Sequence, residues 1–293
     1  MSIIFPGFKQ GVATVPSQDG PIDISYQVGG SGPALLLLHG FPQTKAIWHE
    51  VAPELSKNYT VVASDLRGYG QSSKPHGTKD HSTYSKRSMA ADQHALMKAL
   101  GHDTFFLLGH DRGGRVSHRL AMDFPASVKK LMVLDISPTL AMYENTTMEF
   151  AKGYWHWFFL IQPEPVPETM IGANPEFWLK NHMGRHAGTG IFSPDRWAEY
   201  LAGASNVESM HAMCEDYRAS ATIDLVHDRA DVAAGGNPEV HGHAGDRQGG
   251  QVLLEAGAIR FKPIVLTAAA AMIGAAVILA GVVMITLPER SSR

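Results

Sequence analysis

The 293-residue chain has one cysteine, Cys214, so an internal disulfide is excluded and a structural cysteine site is not expected. It has no basic surplus: 25 Lys and Arg stand against 28 Asp and Glu, a formal net charge of −3. That removes the electrostatic footprint of a nucleic-acid binder. Charged residues are scarce at 18%, while 44% hydrophobic content suffices for a large core. The opening Met1-Ser2-Ile3-Ile4-Phe5-Pro6 lacks the basic-then-apolar pattern of a signal peptide. No internal repeat is evident. The first two thirds therefore read as a reduced, cytoplasmic globular protein. Charge is then absent altogether from Ile264 to Leu287, a stretch longer than the roughly 20 residues that cross a bilayer as a helix. A buried Ala-rich helix is the alternative, but soluble helices of that length normally keep a polar face. The expectation is a membrane-competent helix, with membrane contact through 264–287. Arg260 and Lys262 flank one end and Arg290 and Arg293 the other, so flanking charge does not orient it.

What is present is an alternation of strand and helix patterns. Ile22 to Val28 alternates and ends in Gly29-Gly30, a strand and turn. Ala34 to Leu38 and Tyr59 to Ser64 are short apolar runs of the kind buried on both faces of a parallel sheet. Tyr84 to Leu100 carries Met89, Leu96, Met97 and Leu100 at helical spacing. A further strand pattern follows at Val128 to Leu134. Strands alternating with helices predict an α/β fold, a mainly parallel sheet with helices on both faces. From about Leu140 to Asp231 aromatic residues crowd together and no buried-strand run appears, which predicts a helical cap. The expected organisation is a core over 1–139, the cap over 140–231, a Gly/His-rich linker over 232–250 and an apolar helical tail over 251–293.

Between two of these elements lies Gly109-His110-Asp111-Arg112-Gly113-Gly114-Arg115, preceded by Phe105-Phe106-Leu107-Leu108. An apolar run, then Gly-x-X-x-Gly, then a helical pattern resembles the nucleophile elbow of the α/β-hydrolases. Serine is missing from the exposed central position, which is Asp111. A carboxylate is already ionised at neutral pH, attacks without a base, and suits displacement at saturated carbon better than acyl transfer. The plainer reading of Asp111 is a helix cap, which accounts for neither the flanking glycines nor the two arginines.

Over residues 1 to about 231 the chain resembles the fluoroacetate (haloacetate) dehalogenases of the α/β-hydrolase superfamily. The resemblance rests on His39-Gly40-Phe41-Pro42-Gln43, Asp65-Leu66-Arg67-Gly68-Tyr69-Gly70, the Asp111 elbow, Leu134-Asp135-Ile136, Trp155-His156-Trp157-Phe158-Phe159 and Cys214-Glu215-Asp216-Tyr217-Arg218. It implies Asp111 as nucleophile, forming an alkyl-enzyme ester as halide leaves. Arg112 and Arg115 are implied to hold the substrate carboxylate, whose geometry and charge paired guanidinium groups match. His156, Trp157 and Tyr217 are implied to converge on the departing halide, where donors stabilise the developing charge. Asp135 is implied to orient a histidine that activates water. The backbone N–H groups of Phe41 and Arg112 are implied to form the oxyanion hole. Each has a plainer reading: a solvated helix face for the arginines, a cap-core aromatic for Trp157, a turn before Pro138 for Asp135. No cofactor or metal is expected. The implied partners are a small anionic halogenated substrate and water, and a homodimer is compatible with them.

The resemblance stops short of the catalytic histidine, which the family carries after two further core strands. No apolar run between Val232 and Gly250 suits a buried strand. The only late histidines in a cluster, His241 and His243, sit in a glycine-rich stretch that reads as linker, and two histidines are too few for a dedicated metal site. The tail from Val252 to about Leu279 resembles a fragment of an RND-type efflux transporter. The chain thus reads as a dehalogenase truncated at the C-terminal end of its core and joined to an unrelated apolar segment. The leading expectation is dehalogenation of a short 2-haloacid, impaired in its second step. The rivals are an epoxide hydrolase, which uses an elbow Asp with two cap tyrosines, and an inactive membrane-associated protein of this fold.

Overall fold

The computed structural model describes residues 5–183, 190, 192–235 and 282–285. Two strands, β1 (Lys9–Val15) and β2 (Ile22–Gly29), form an antiparallel hairpin. Next come β3 (Ala34–Leu38), the short α1 (Ala52–Leu55) and β4 (Thr60–Ser64). The alternation continues through α2 (Lys86–Ala99), β5 (Phe105–His110), α3 (Arg112–Asp123) and β6 (Val128–Leu134). The expected strands and helices of this region are all present within a few residues. One strand, β1, was not anticipated.

Among the described residues, eight helices then run from 139 to 233. They are α4 (Thr139–Glu144), α5 (Met148–Gly153), α6 (Trp155–Leu160), α7 (Val166–Ala173), α8 (Pro175–Met183), α9 (Pro194–Ser205), α10 (Val207–Ala221) and α11 (Ile223–Ala233). The last described element is the strand β7 (Val282–Ile285).

The sheet order is β1-β2-β4-β3-β5-β6-β7. Its centre, β4-β3-β5-β6, is parallel, whereas β1-β2, β2-β4 and β6-β7 pair antiparallel. The sheet is therefore mixed rather than mainly parallel: the hairpin at one edge and β7 at the other need no helical crossover. Along β3 the side chains alternate between two cores. Leu36 and Leu38 join Met89, Leu96, Val116 and Leu120 on the face of α2 and α3. Leu35 and Leu37 join Ile47, Trp48, Val51 and Leu55 on the other. Because both faces are covered, the Ala34–Leu38 run needs no polar alternation.

The tail departs from expectation where it is described. Val282–Ile285 is a strand, not part of a membrane-crossing helix, and it pairs with β6 from Leu131 to Leu134. Val-Val-Met-Ile carries three β-branched residues, which favour a pleated surface, and the β6 edge offers it unpaired backbone groups. The rest of 264–287, with the 236–250 part of the linker that holds His241 and His243, lies outside the described residues. Among the described residues no helix is long and apolar enough to cross a membrane.

Candidate active site

The site is built on the turn from β5 into α3. Two glycines let the backbone pack there without side chains. A Cβ on Gly113 would lie 2.3 Å from His39 O and 2.5 Å from Leu38 O, and one on Gly40 would lie 2.5 Å from Asp111 Cβ. Asp111 itself has φ 49° and ψ −116°, a conformation costing on the order of 1–3 kcal/mol for a non-glycine residue. The surroundings hold it there. Its N–H donates to Leu134 O at 3.1 Å and its carbonyl accepts from Arg115 N at 3.2 Å. Its side chain does not cap α3. Instead Asp111 Oδ1 accepts the backbone N–H of Phe41 at 2.8 Å, which disposes of the capping reading.

The loop that carries Phe41 is fixed by a buried polar frame. His39 Nε2 accepts from Leu66 N at 3.1 Å, so Nδ1 carries the proton and donates to Gly40 O at 3.0 Å. Burial lowers the His39 pKa, partly opposed by Asp65, and the ring stays neutral. Asp65 in turn accepts from Lys45 N at 2.8 Å and Lys45 Nζ at 2.5 Å. The His39 and Asp65 motifs are thus joined in one scaffold beneath the nucleophile position.

Arg112 and Arg115, one turn apart on α3, are both buried but differently partnered. Arg112 Nε and Nη2 donate to Asp216 Oδ2 and Oδ1 at 3.2 and 2.5 Å, and Nη2 also reaches Asp216 O at 2.7 Å. Its guanidinium carbon lies 4.1 Å from the Tyr217 ring centroid, while Nη1 has no hydrogen-bond partner among the described residues. Arg115 Nη1 donates to two neutral oxygens, Ser137 O at 2.9 Å and Thr139 Oγ1 at 3.0 Å. Its guanidinium lies 4.7 Å from the Trp157 ring, and its buried Nε has no hydrogen-bond partner among the described residues. Burial pushes the pKa of Arg115 down, and the neighbouring Arg112 charge adds to this. For Arg112 burial acts the same way, but Asp216 outweighs it and the pKa rises. These are not solvated helix faces.

The aromatic residues gather over this pair. His156 and Trp157 on α6 and Tyr217 on α10 are buried. The Tyr217 ring lies 5.1 Å from Phe41, 6.1 Å from His156 and 6.2 Å from Trp157. Burial and the Asp111 charge push the Tyr217 hydroxyl pKa well up, which keeps it a proton donor. Asp111, Phe41, Arg112, Arg115, His156, Trp157 and Tyr217 are therefore brought together. Asp135 is not joined to them: it is exposed just after β6, with φ 55°, and makes no hydrogen bond or ion pair among the described residues.

Three participants had no role in the sequence reading. Asp216 is fully buried, Lys86 also pairs with it, and Tyr69 OH donates to its Oδ2 at 2.7 Å. His182 on α8 packs its ring 4.5 Å from His156 and 5.1 Å from Phe41. A buried Asp within Cys214–Arg218 was the available signal for Asp216; nothing local marked Lys86 or His182.

Elsewhere, His76, Glu164 and His211 lie close enough to offer atoms to one metal ion. The two imidazoles, however, stack at 4.3 Å with planes 9° apart, so their in-plane lone pairs cannot converge on one ion. A cavity of about 660 Å³ between α9 and residues 70–74, lined by Thr44, Lys74 and Glu199 among others, contains none of the expected site residues.

Comparison with known proteins agrees with this geometry. The sequence profile of the α/β-hydrolase fold matches residues 33–231; it does not extend into 251–293, and no comparison supports the transporter resemblance expected there. The chain is 49% identical over 231 residues to a fluoroacetate dehalogenase of Burkholderia sp., covering 78% of this chain and 75% of that protein. It is 33% identical over 196 residues to a soluble epoxide hydrolase of Corynebacterium sp. strain C12, covering 66% and 67%. The crystal structure of ALR0039 from Nostoc sp. PCC 7120 superposes with a TM-score of 0.75 at 50% identity, covering 78% of each chain. An elbow strand leading into a strained Asp111, a core of parallel strands and this matched span together place the chain in the α/β-hydrolase fold family.

Proposed function

We propose that the protein is a hydrolase of carbon–halide bonds acting on a short 2-haloacid such as fluoroacetate, through an ester on Asp111. The observation that carries this reading is the pair of buried, unpartnered guanidinium donors, Arg112 Nη1 and Arg115 Nε, beside the elbow. A buried guanidinium N–H without a protein acceptor costs free energy, which a bound carboxylate recovers through charge-assisted hydrogen bonds.

The resting geometry also divides the labour of the nucleophile. Phe41 N–H holds Oδ1, so Oδ2 attacks the carbon bearing the halogen. The C–O bond forms as the carbon–halogen bond breaks, and the electron pair leaves with the halide. His156, Trp157 and Tyr217 supply the polar hydrogens and ring edges that receive it. Oδ1 becomes the ester carbonyl oxygen, already seated on Phe41 N–H, with Arg112 N–H as the second donor when water attacks the ester. That attack needs a base oriented by Asp135. Among the described residues Asp135 meets no histidine, and His241 and His243 lie outside them, so we read the second step as the impaired one. The helices of 140–231 act as the cap over a core of 1–139. The hydrolase portion is cytoplasmic, with a homodimer as its compatible assembly.

Epoxide hydrolysis is favoured by one observation, a second tyrosine. Tyr143 has a buried hydroxyl without a partner, and its ring lies 5.3 Å from Trp157. The arginine pair favours an anionic substrate over a neutral epoxide. Fluoride release from fluoroacetate by the wild-type chain, its loss in Asp111→Asn, and no diol formation from styrene oxide support the dehalogenase. Diol formation without fluoride release overturns it.

A further inference from the structure

The two arginines of the site are not equivalent. Arg112 belongs to a buried cluster whose charges balance, with Arg112 and Lys86 facing Asp216 and Asp224. Lys86 Nζ pairs with Asp216 and lies 3.4 Å from Asp224 Oδ2, and Lys86 N donates to Asp224 Oδ1 at 2.8 Å. Ser220 Oγ accepts from Arg112 Nη2 and donates to Asp216 O at 3.1 Å. Arg115 makes no ion pair among the described residues and touches only neutral oxygens and the Trp157 ring. Arg115 therefore brings charge that no ion pair among the described residues offsets, with Asp111 the opposite charge that acts on it, whereas the charge of Arg112 is already met by Asp216.

We propose that Asp216 is a positioning residue that locks the Arg112 guanidinium by one edge and leaves Nη1 as a single, oriented donor to the substrate carboxylate. Three contacts from consecutive parts of α10 enforce this. The Asp216 carboxylate takes Nε and Nη2, its carbonyl takes Nη2 again, and the neighbouring Tyr217 ring covers the guanidinium face. A planar fork held on one edge and one face cannot swing. Tyr69 OH and Lys86 hold the carboxylate from the other side. Arg115 thus captures the anion, and Arg112 aligns the carbon–halogen bond with Asp111, the kind of alignment that sets the rate of displacement.

The role presupposes a carboxylate substrate at Arg112, as proposed above, and single-turnover ester formation by the full chain separates the two claims. With fluoroacetate as the probe, Asp216→Asn slows ester formation at saturation by about tenfold or more, while the half-saturating concentration stays within about threefold. Arg112→Lys in the Asp216→Asn background adds little further loss, because the two changes disable one alignment. If Asp216 only neutralised buried charge, the variant would lower the amount of active protein while the surviving rate constant stayed at the wild-type value. That result, or losses from Asp216→Asn and Arg112→Lys that multiply independently, overturns the proposal. Should Asp216→Asn fail to fold, Tyr69→Phe removes one donor from Asp216 Oδ2 and shows the same pattern at smaller size, about threefold; an unchanged rate constant overturns the proposal. No ester on the wild-type chain overturns the displacement reading, and the role of Asp216 with it.

Discussion

Phe41 and Asp111, seventy positions apart, share a 2.8 Å hydrogen bond from backbone N–H to Oδ1. The contact exists because β3 and β5 are neighbours in parallel register, Leu38 opposite Gly109, so the loops after both strands end at one level. It uses one carboxylate oxygen before any substrate arrives. The Asp111 carboxylate is thereby oriented by the sheet rather than by its own rotamer preference.

That close approach makes the elbow sensitive to a single methyl group. Gly113→Ala would place a Cβ against two backbone carbonyls, His39 O and Leu38 O, and backbone in adjoining elements cannot yield as a side chain tip can. The expected cost is on the order of 2–3 kcal/mol of stability, read by denaturant unfolding. Unfolding at the wild-type midpoint would show that the elbow packs less tightly than described.

Much of this frame was legible in the residues, for physical reasons that differ by element. β3 announces itself because its apolar run is only five residues long and closes on His39-Gly40, which suits a strand buried on both faces. β1 does not, since Lys9-Gln10-Gly11-Val12 is largely polar and lies at an edge of the sheet. Val282–Ile285 was hidden inside an uncharged run whose length argued for a span, and periodicity cannot separate a strand from a helix in such a run. At the site, Asp111 and its arginines follow from one short motif. The Asp216 anchor does not, because the Arg112–Asp216 pair spans 104 positions and neither residue signals its partner. The place of Asp135 was readable, whereas a partner for it was not.

The two arginines should fail in different ways. Arg115→Ala removes two hydrogen bonds and a ring contact but no ion pair among the described residues, so it destabilises less than Arg112→Ala, while the rate of ester formation falls by on the order of 2–4 kcal/mol of transition-state stabilisation. Arg112→Ala also takes the two-point guanidinium partner from the buried Asp216 carboxylate, leaving it Lys86 and the Tyr69 hydroxyl. Removing one partner of a buried pair costs about 3–5 kcal/mol of stability. Calorimetry beside fluoride-release kinetics distinguishes them; equal stability losses would contradict the partner assignment.

Acid should destabilise the protein through His118 on α3. Burial, with the charges of Arg119 and Arg115, pushes its pKa from 6.5 down to about 4. Between those values the unfolded chain binds a proton that the folded chain does not, so stability falls as pH drops from about 6.5 to about 4. The full loss is roughly 3 kcal/mol. Asp92, pushed up to about 6 by burial against its pairing with Arg67, works in the opposite direction over part of that window. The clean measurement is therefore the difference between wild type and His118→Gln across pH. Parallel stability curves would exclude His118 as the titrating group.

The proposal turns on Asp111 as a nucleophile whose ester forms with residues preceding 218 and, among the described residues, meets no base to remove it. Intact-protein mass spectrometry of the full chain after incubation with fluoroacetate, followed by peptide mapping, tests it directly. At most one equivalent of fluoride is expected, with a carboxymethyl ester retained on the peptide carrying Asp111 and absent from Asp111→Asn. Sustained fluoride release with no retained adduct would contradict the missing-base account and direct attention to His243 and then His241. Neither fluoride nor adduct would contradict the displacement mechanism itself.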